Sequence, residues 1–260
     1  MPELPEVETF KKYFDNTSLN KTVKDIKIRD NRILKIPEEQ FIKEVKGQTF
    51  KSTLRHGKYL FVKLNSKYIV FHFGMTGDFE YFNDLNDEPI HSRILFELNN
   101  GYYLSYISMR MFGKVDLTNT VKEFLKKKKL GPDGYTMTIE EFKDTLKRRS
   151  AIAKTALMDQ SIIAGIGNLY SDEILFRTKI HPKTKINLLT DAKLVDLFNN
   201  IKEVLKFGIE NEGDLSIYPN NFLIPHRVLE EKCPICGTIL QRYEISGRHG
   251  FFCATCQSLK

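Results

Sequence analysis

The sequence contains no tryptophan and only four cysteines, all of them between residues 233 and 256. It also lacks long hydrophobic runs, and none approaches the roughly 18 apolar residues that a membrane-spanning helix needs. The N-terminus has no charged stretch followed by an apolar one, which excludes an ordinary secretory signal. From these absences we expect a cytoplasmic protein without a membrane anchor.

What is present is an ordinary globular composition with an excess of positive charge. A chain of 260 residues has room for one large or two small domains. Hydrophobic residues make up 41% of it, a normal fraction for a protein that buries a core. The formal net charge of +7 favours a polyanionic partner. The densest charge block, Lys126 to Lys129, is typical of a solvated face or a linker.

Pro2 directly follows Met1 and is itself followed by Glu3. Removal of Met1 would turn Pro2 into a secondary amine, and terminal amines have a reference pKa of about 7.7–8.0, against about 10.4 for lysine. Attack by such an amine on a sugar aldehyde carbon gives an iminium cation, which promotes β-elimination. Glu3 could serve the same centre as general acid or base. The alternative is a flexible N-terminus without chemistry.

The N-terminal part of the chain has the patterning of a β domain. Apolar residues at helical spacing predict one short helix over residues 4–14. Stretches rich in Val, Ile, Phe and Tyr then predict strands over Thr22–Asp30, Thr49–Lys63, Tyr68–Phe82, Ser92–Leu98 and Tyr102–Leu117. Asn99-Asn100-Gly101 predicts the hairpin turn between the last two. Several antiparallel strands in so short a stretch indicate a sandwich or barrel.

Beyond the strands the pattern becomes helical. Thr138 and Glu141 resemble a capping box at the start of a helical region that extends to residue 211. Within it, Leu188–Ile209 is a long amphipathic stretch, and residues 212–231 look irregular. The predicted divisions are a domain over 1–118, a linker over 119–136, a helical domain over 137–231 and a metal module over 232–260.

The four cysteines have the spacing of a structural zinc site. Cys233-Pro-Ile-Cys236 and Cys253-Ala-Thr-Cys256 are C-x-x-C pairs separated by sixteen residues. Four thiolates close a tetrahedral site with no open position, so we expect one structural Zn²⁺ ion without a catalytic role. Redox pairs or disulfides are the alternatives, and a cytosolic location disfavours both.

Two turns could bind phosphates. Gly247-Arg248-His249-Gly250 predicts the tip of a hairpin, from which Arg248 could reach a phosphate or simply lie exposed. Gly165 and Gly167 predict a tight turn between helices, with Asn168 as the N-cap of the second helix. Backbone amides of such a turn favour a phosphate, and Lys154 could add a contact. An ordinary helical corner is the alternative.

Taken together, these residues resemble the formamidopyrimidine-DNA glycosylase and endonuclease VIII family of base-excision repair enzymes. The segments that carry the resemblance follow one another along nearly the whole chain. They are Pro2–Glu6, His72–Gly77, Arg110–Gly113, Asp159–Tyr170 and the four-cysteine finger. The resemblance implies an α+β fold of two domains: an N-terminal antiparallel β-sandwich flanked by helices, then a helix-two-turn-helix bundle with the zinc finger.

The resemblance also implies roles for single residues. Pro2 would be the nucleophile at the sugar C1′ and Glu3 its acid/base partner, with Glu6 in support. Lys58 would contact a phosphate near the lesion. No catalytic cofactor is expected.

Further residues would bind the DNA. Extruding a base from the duplex costs a few kcal/mol, and inserted side chains offset part of that. The residues implied to fill the space left by the flipped nucleotide are Met75, Arg110 and Phe112. Those implied to hold backbone phosphates are Lys154, Asn168 and Arg248. Those implied to lie near the flipped nucleotide are Tyr170 and Glu173. For Met75 and Phe112 the alternative is core packing.

The chain departs from the family in two places. Where the purine-lesion branch usually has Asp-Pro-Arg-Arg-Phe-Gly, this sequence has Ser-Met-Arg-Met-Phe-Gly at 108–113. The segment 213–232 is short compared with the branch that closes a loop over 8-oxoguanine, and it contains the unusual Asn221–Arg227 stretch.

We therefore expect a bifunctional DNA glycosylase/AP lyase that excises oxidised bases from damaged double-stranded DNA and then nicks the strand by β,δ-elimination. Formamidopyrimidines are the expected substrates, 8-oxoguanine is open, and oxidised pyrimidines or hydantoins are the alternative. The sequence also leaves open a non-catalytic nucleic-acid-binding zinc protein and a purely structural zinc protein. We expect a monomer that associates with the nucleoid when bound to DNA.

Overall fold

The computed structural model describes residues 1–146 and 149–259. Lys147 and Arg148, inside the predicted helical region, lie outside the described residues, as does Lys260 at the end of the predicted metal module.

The chain divides into two compact units. The first unit consists of Met1–Pro2 and Glu6–Lys128, and the second of Glu3–Pro5 and Lys129–Lys260. The domain boundaries drawn from the sequence stay predictions.

Two antiparallel four-stranded sheets form the body of the first unit. The strands in chain order are β1 Val23–Ile28, β2 Ser52–His56, β3 Tyr59–Lys63, β4 Tyr68–His72, β5 Gly77–Phe82, β6 Ser92–Leu98, β7 Tyr103–Ser108 and β8 Lys114–Thr118. One sheet has the order β1-β6-β7-β5 and the other β2-β3-β4-β8. The prediction of antiparallel sheets in this part of the chain is confirmed.

The core of the first unit lies between the two sheets, because the inward positions of both are apolar. Phe71 on β4 packs edge-to-face on Phe79 of β5, with ring centroids 5.0 Å apart. Phe71 also packs against Phe96 of β6. Such aromatic pairs join one sheet to the other and so fix where the connecting turns emerge.

Helices cover this sandwich. They are α1 Leu4–Ser18, α2 Glu38–Val45 and α3 Val121–Lys128. The prediction of a helix over 4–14 is confirmed, and the helix continues to Ser18. The predicted interdomain linker over 119–136 contains α3, which packs Phe124 on Phe61 and Val70. Most of the lysine run is therefore the solvated side of α3.

Three predictions of single strands are wrong in the same way, those over 49–63, 68–82 and 102–117. Each stretch is two strands separated by a sharp turn. The backbone is left-handed at one residue of each turn, with φ of 55° at Gly57, 62° at Gly74 and 57° at Met111. Apolar residues on both sides of these turns keep the strand-like pattern continuous, so the turns are hidden in the sequence. The strand over Ser92–Leu98 is confirmed.

The second unit is helical at first and ends in a hairpin. Its elements are α4 Ile139–Leu146, α5 Ala153–Met158, α6 Asn168–Arg177, α7 Asp191–Glu210, β9 Gln241–Ile245 and β10 Arg248–Phe252. The predicted helical region over 138–211 is confirmed, and its described residues form α4 to α7 with turns between them. The predicted capping box is confirmed: Thr138 N donates to Glu141 Oε2 at 2.9 Å and Glu141 N to Thr138 Oγ1 at 3.2 Å.

Side chains of α6 and α7 form the middle of the second unit's core. Ile174 and Leu175 on α6 are fully buried in one cluster with Leu197, Ile201 and Leu205 on α7. This packing fixes the first turn of α6, where several of the predicted site residues lie. In the described part of the chain, no helix has both the length and the apolarity to cross a membrane.

Candidate functional site

The carboxylate of Glu3 caps helix α6. Glu3 is 3% exposed and belongs to the second unit. Its Oε2 accepts from Gly167 N at 2.5 Å and its Oε1 from Leu169 N at 2.9 Å. Amides at a helix N-terminus have no partner within the helix, and the helix dipole there favours negative charge. Glu3 is therefore held in one orientation by two charge-assisted hydrogen bonds.

The prediction that Asn168 is the N-cap of α6 is wrong. Gly167 occupies that position and has no side chain to offer, so Glu3 does the capping from elsewhere in the chain. The Nδ2 of Asn168 donates instead to the His249 carbonyl at 2.8 Å. Its Oδ1 is buried with no hydrogen-bond partner among the described residues. The predicted phosphate site on the turn amides is wrong for Gly167 and Leu169, because Glu3 takes both.

Lys154 has no exposed surface. Its Nζ donates to the Asn168 carbonyl at 2.8 Å, to Ser171 Oγ at 2.7 Å and to Asp172 Oδ1 at 2.5 Å. Burial lowers the pKa of Lys154, and the neighbouring Asp172 opposes that shift. The ammonium thus faces three protein acceptors, and its predicted phosphate contact stays a prediction.

The hairpin of the metal module turns one residue earlier than predicted. Ser246 and Gly247 both have positive φ, 53° and 71°, as a two-residue type I′ turn requires. The prediction of a tip over 247–250 is wrong, because Arg248, His249 and Gly250 already belong to β10. Arg248 is exposed at the start of that strand, and its Nη1 lies 3.4 Å from Met158 Sδ.

The four cysteines form one cluster. Their sulfur atoms lie within 4.8 Å of one another. Cys233 and Cys256 have sulfurs 3.8 Å apart, and Cys236 and Cys253 3.4 Å apart. Tetrahedral zinc with Zn–S bonds of about 2.3 Å places its sulfurs roughly 3.8 Å apart. The cluster fits one structural zinc ion with all four positions filled by thiolates.

Tyr170 and Glu173 are fully buried on α6. The Tyr170 hydroxyl lies 3.3 Å from that of Tyr218. Glu173 Oε2 accepts from Ile224 N at 2.8 Å, whereas its Oε1 is buried with no hydrogen-bond partner in the described chain. Burial raises the pKa of Glu173 to about 7. Their predicted contact with a flipped nucleotide stays a prediction.

In the first unit, the β2–β3 hairpin carries Lys58, which is 8% exposed. Arg55 anchors this hairpin: its Nε donates to Glu8 Oε2 on α1 at 2.6 Å, and its Nη1 to the Gly57 carbonyl at 3.1 Å. The direction of Lys58 is thereby tied to α1. Glu6 lies in the first turn of the same helix.

Pro2 is partly exposed two residues before α1 begins, and Met1 is 53% exposed. An exposed Met1 is open to removal. The roles predicted for Pro2, Glu6 and Lys58 stay predictions.

Met75 and Phe112 lie at the surface of the first unit, where they are 38% and 55% exposed, so the alternative of core packing is wrong. Arg110 is exposed beside Phe112, with its guanidinium carbon 5.7 Å from the ring centre. Arg110 N donates to Thr76 Oγ1 at 3.1 Å, which ties the two turns together. Met111, between Arg110 and Phe112, packs back on the core. Exposed apolar side chains beside a cation suit insertion between bases.

His72 supports the turn that carries Met75. Gly74 N donates to His72 Nδ1 at 3.3 Å. Burial, with Lys58 and Lys128 nearby, lowers the pKa of His72 to about 4. The ring is therefore neutral near pH 7 and can accept this hydrogen bond.

Gly74→Ala should lower the free energy of unfolding by about 2–4 kcal/mol. An added Cβ would overlap the Phe112 carbonyl carbon and lie 2.5 Å from Gly113 N, on a backbone with φ of 62°. Gly47 is the matched control, because it has φ of 79° and nothing within 4 Å of an added Cβ. Gly47→Ala should lose only about 1–2 kcal/mol in the same urea titration. Equal losses of stability in the two variants would show that the turn at Gly74 can move away from Phe112 at no cost.

Three family models match successive parts of the chain. The model described as the formamidopyrimidine-DNA glycosylase N-terminal domain matches residues 1–115, and its H2TH domain matches residues 130–218. The model of the zinc finger found in FPG and IleRS matches residues 230–259. The formamidopyrimidine-DNA glycosylase of Ligilactobacillus salivarius is 35% identical, and the alignment covers 100% of both chains. That of Bacillus subtilis is also 35% identical with the same coverage.

The chain belongs to the formamidopyrimidine-DNA glycosylase family.

Solved structures of this family have the same fold. A complex of Lactococcus lactis Fpg with DNA containing N7-benzyl-Fapy-dG has a TM-score of 0.90 and 28% identity, and the match covers 99% of this chain and 100% of that one. A complex of the L. lactis protein with abasic DNA has a TM-score of 0.89 and 29% identity with the same coverage.

The family resemblance did not single out two residues, the partly buried Gln160 and the buried Asp172. Both hold the turn that binds Glu3. A carboxylate in the second turn of a buried helix is one signal that could have singled out Asp172, because such a group requires partners. Which partners those are cannot be read from one sequence.

Proposed function

We propose that this member of the formamidopyrimidine-DNA glycosylase family is a bifunctional DNA glycosylase/AP lyase that uses Pro2 as its nucleophile. The observation that carries the proposal is the carboxylate of Glu3, buried and held by two backbone amides. It directly follows Pro2 in the chain, so a fixed acid/base group stands next to an N-terminal amine once Met1 is removed. The fixed Glu3 carboxylate is the opposite of what a flexible N-terminus would give.

In the proposed reaction, the Pro2 nitrogen attacks C1′ of the damaged nucleotide and the bond from C1′ to the base breaks. The base leaves with the bonding electron pair and takes up a proton. As the N–C1′ bond forms, the Glu3 carboxylate takes the proton of the Pro2 nitrogen, and it passes this proton to the ring oxygen as the sugar opens, which gives the iminium. Loss of a C2′ proton then expels the 3′ phosphate, and a second elimination expels the 5′ phosphate. Water finally releases the sugar remnant from Pro2.

Duplex DNA is the proposed partner. Met75 and Phe112 would fill the space left by the extruded nucleotide, and Arg110 would pair with the orphaned base. Arg248, exposed on the hairpin, and Lys58 would contact phosphates. Relatives solved with Fapy-dG DNA and with 8-oxoguanine DNA make an oxidised purine the first choice of substrate. The expectation of a cytoplasmic monomer stays a prediction.

Borohydride trapping tests the proposal on parallel duplexes that carry formamidopyrimidine, 8-oxoguanine, a ring-saturated pyrimidine or an abasic site. Protein whose Met1 is shown to be absent by intact mass should form a covalent complex on the abasic duplex. The pattern on the other three names the substrate class. If protein with zinc bound and Met1 absent forms no covalent complex on any duplex, the proposal is contradicted and a non-catalytic DNA-binding protein is favoured.

A further inference from the structure

The two amides that hold Glu3 are each one end of a rigid peptide unit. A trans peptide is planar, so its carbonyl and its N–H point in opposite directions and cannot turn independently. Gly167 N–H shares a plane with the Ile166 carbonyl, and Leu169 N–H shares one with the Asn168 carbonyl. Whatever holds those two carbonyls from behind therefore aims the two amides at Glu3.

Gln160 holds the first peptide unit. Its Nε2 donates to the Ile166 carbonyl at 2.7 Å and to the Met158 carbonyl at 2.9 Å. Its Oε1 accepts from Gly165 N at 2.9 Å. Because both ends of its amide are engaged by backbone, the side chain has one orientation. The Gly167 N–H is thereby fixed in direction.

Lys154 holds the second peptide unit. Its Nζ donates to the Asn168 carbonyl at 2.8 Å and to Ser171 Oγ at 2.7 Å. The Ser171 hydroxyl in turn donates to the Gly167 carbonyl. The consecutive carbonyls of Gly167 and Asn168 are thus both held, and the Leu169 N–H is fixed in direction through the Asn168 carbonyl.

Asp172 keeps Lys154 in place. It is 1% exposed, and its Oδ1 accepts from Lys154 Nζ and from the Tyr243 hydroxyl on β9. Its Oδ2 accepts from Arg227 Nη2 at 2.7 Å and from Phe251 N on β10 at 3.2 Å. A buried carboxylate with donors from so many segments is costly to disturb. The ion pair therefore links the metal-module hairpin to the turn that holds Glu3.

We propose that Gln160 and the Lys154–Asp172 pair are positioning residues for the Glu3 carboxylate. This inference rests on the proposed function of Glu3 and assigns these residues no contact with DNA. Misplacing a catalytic group by about 1 Å can slow a reaction by about a hundredfold. Loss of Gln160 or of the Lys154–Asp172 pair should therefore slow the chemical step at saturating DNA and leave the affinity for DNA nearly unchanged.

The test uses two variants, Gln160→Ala and the double variant Lys154→Met/Asp172→Asn. The double variant removes both charges together, which avoids leaving one buried charge unpaired. Each should trap an abasic duplex about tenfold to a hundredfold more slowly at saturating DNA. The dissociation constant, from fluorescence anisotropy, should stay within about threefold, because phosphate contacts set affinity. Wild-type trapping rates in a variant would overturn the role of the residues it replaces.

Lys202→Met is the matched control. Lys202 also holds two backbone carbonyls in the second unit, those of Tyr135 and Met137, each at 2.6 Å. Those peptides do not bind Glu3, so this variant should trap at a rate within about twofold of wild type. Equal slowing in all variants would reduce the effect to general destabilisation and overturn the proposal.

Two further readouts distinguish a positioning role from a direct phosphate contact and from a purely structural role. If Lys154 contacts a phosphate directly, the double variant should bind DNA more weakly, and the slope of log affinity against log salt concentration should fall by about one. That result would overturn the positioning role. Hydrogen–deuterium exchange over residues 164–170 reads the turn without any chemistry. Exchange should quicken in both variants and not in Lys202→Met, and unchanged exchange would overturn the proposal. An inactive wild-type protein would instead count against the proposed function.

Discussion

Pro2→Gly is expected to reduce covalent trapping on a base-lesion duplex by at least about a thousandfold, an effect of the size seen when a catalytic nucleophile is replaced. The secondary amine of proline gives an iminium with a permanent positive charge. The primary amine of glycine gives an imine that must first take up a proton. DNA affinity should stay within about threefold, because phosphate contacts supply most of it. Gel-resolved trapping and fluorescence anisotropy measure the two quantities.

Met1 supplies an internal control for this experiment. While Met1 is attached, the Pro2 nitrogen is an amide and cannot attack. The trapped fraction of wild-type protein should therefore never exceed the fraction that intact-mass analysis shows to lack Met1. Undiminished trapping by Pro2→Gly, or trapping of molecules that keep Met1, would move the nucleophile to another residue.

Loss of zinc is expected to have the second largest effect. The metal module has two small apolar clusters. In one, Leu240 and two of the cysteines pack against Phe176 and Leu223, and the other consists of Tyr243, Ile245 and Phe252. Zinc binding in isolated fingers is worth about 10–16 kcal/mol and is inseparable from their folding. Cys253→Ser should abolish the one bound zinc and release the hairpin that carries Arg248. DNA affinity should then fall by about tenfold to a hundredfold.

Thr255→Ala is the control for the zinc prediction. Thr255 is exposed between Cys253 and Cys256, and its hydroxyl lies 2.9 Å from that of Thr238. This variant removes a polar contact beside the metal but no thiolate, so zinc content by mass spectrometry and DNA affinity should match wild type. A zinc-free Cys253→Ser protein that binds DNA normally would show that the hairpin folds without metal.

Local patterns predicted the features that depend on neighbours in the chain. The capping box of α4 needs only Thr138 and Glu141, three residues apart, and the hydrogen bonds are present as predicted. The zinc site needs two C-x-x-C pairs, and the sulfurs come together. The sandwich follows from strand patterning, although its sharp turns at Gly57, Gly74 and Met111 were missed. Glycine marks two of these left-handed positions, but a single glycine inside a strand-like stretch does not by itself show a turn, and Met111 gives no signal at all.

Features that depend on distant partners were not predictable. Asn168 is a residue type typical of an N-cap, yet the carboxylate that caps α6 belongs to Glu3, 164 residues before Gly167. The burial of Lys154 was also not predictable, because it depends on the ion pair with Asp172, and lysines are usually exposed. A single sequence shows which residues are polar. It does not show which of them the fold pairs away from water.

The hydrogen bonds from the start of α6 to Glu3 also determine when, during synthesis, the Glu3 carboxylate can be oriented. Its partner Gly167 is synthesised 164 residues after Glu3. Contacts so distant in sequence form late, because the loop-closure entropy must be overcome first. A nascent chain therefore contains Pro2 long before it can orient the neighbouring carboxylate. In the proposed reaction, Pro2 and Glu3 can act together only after the second unit has folded.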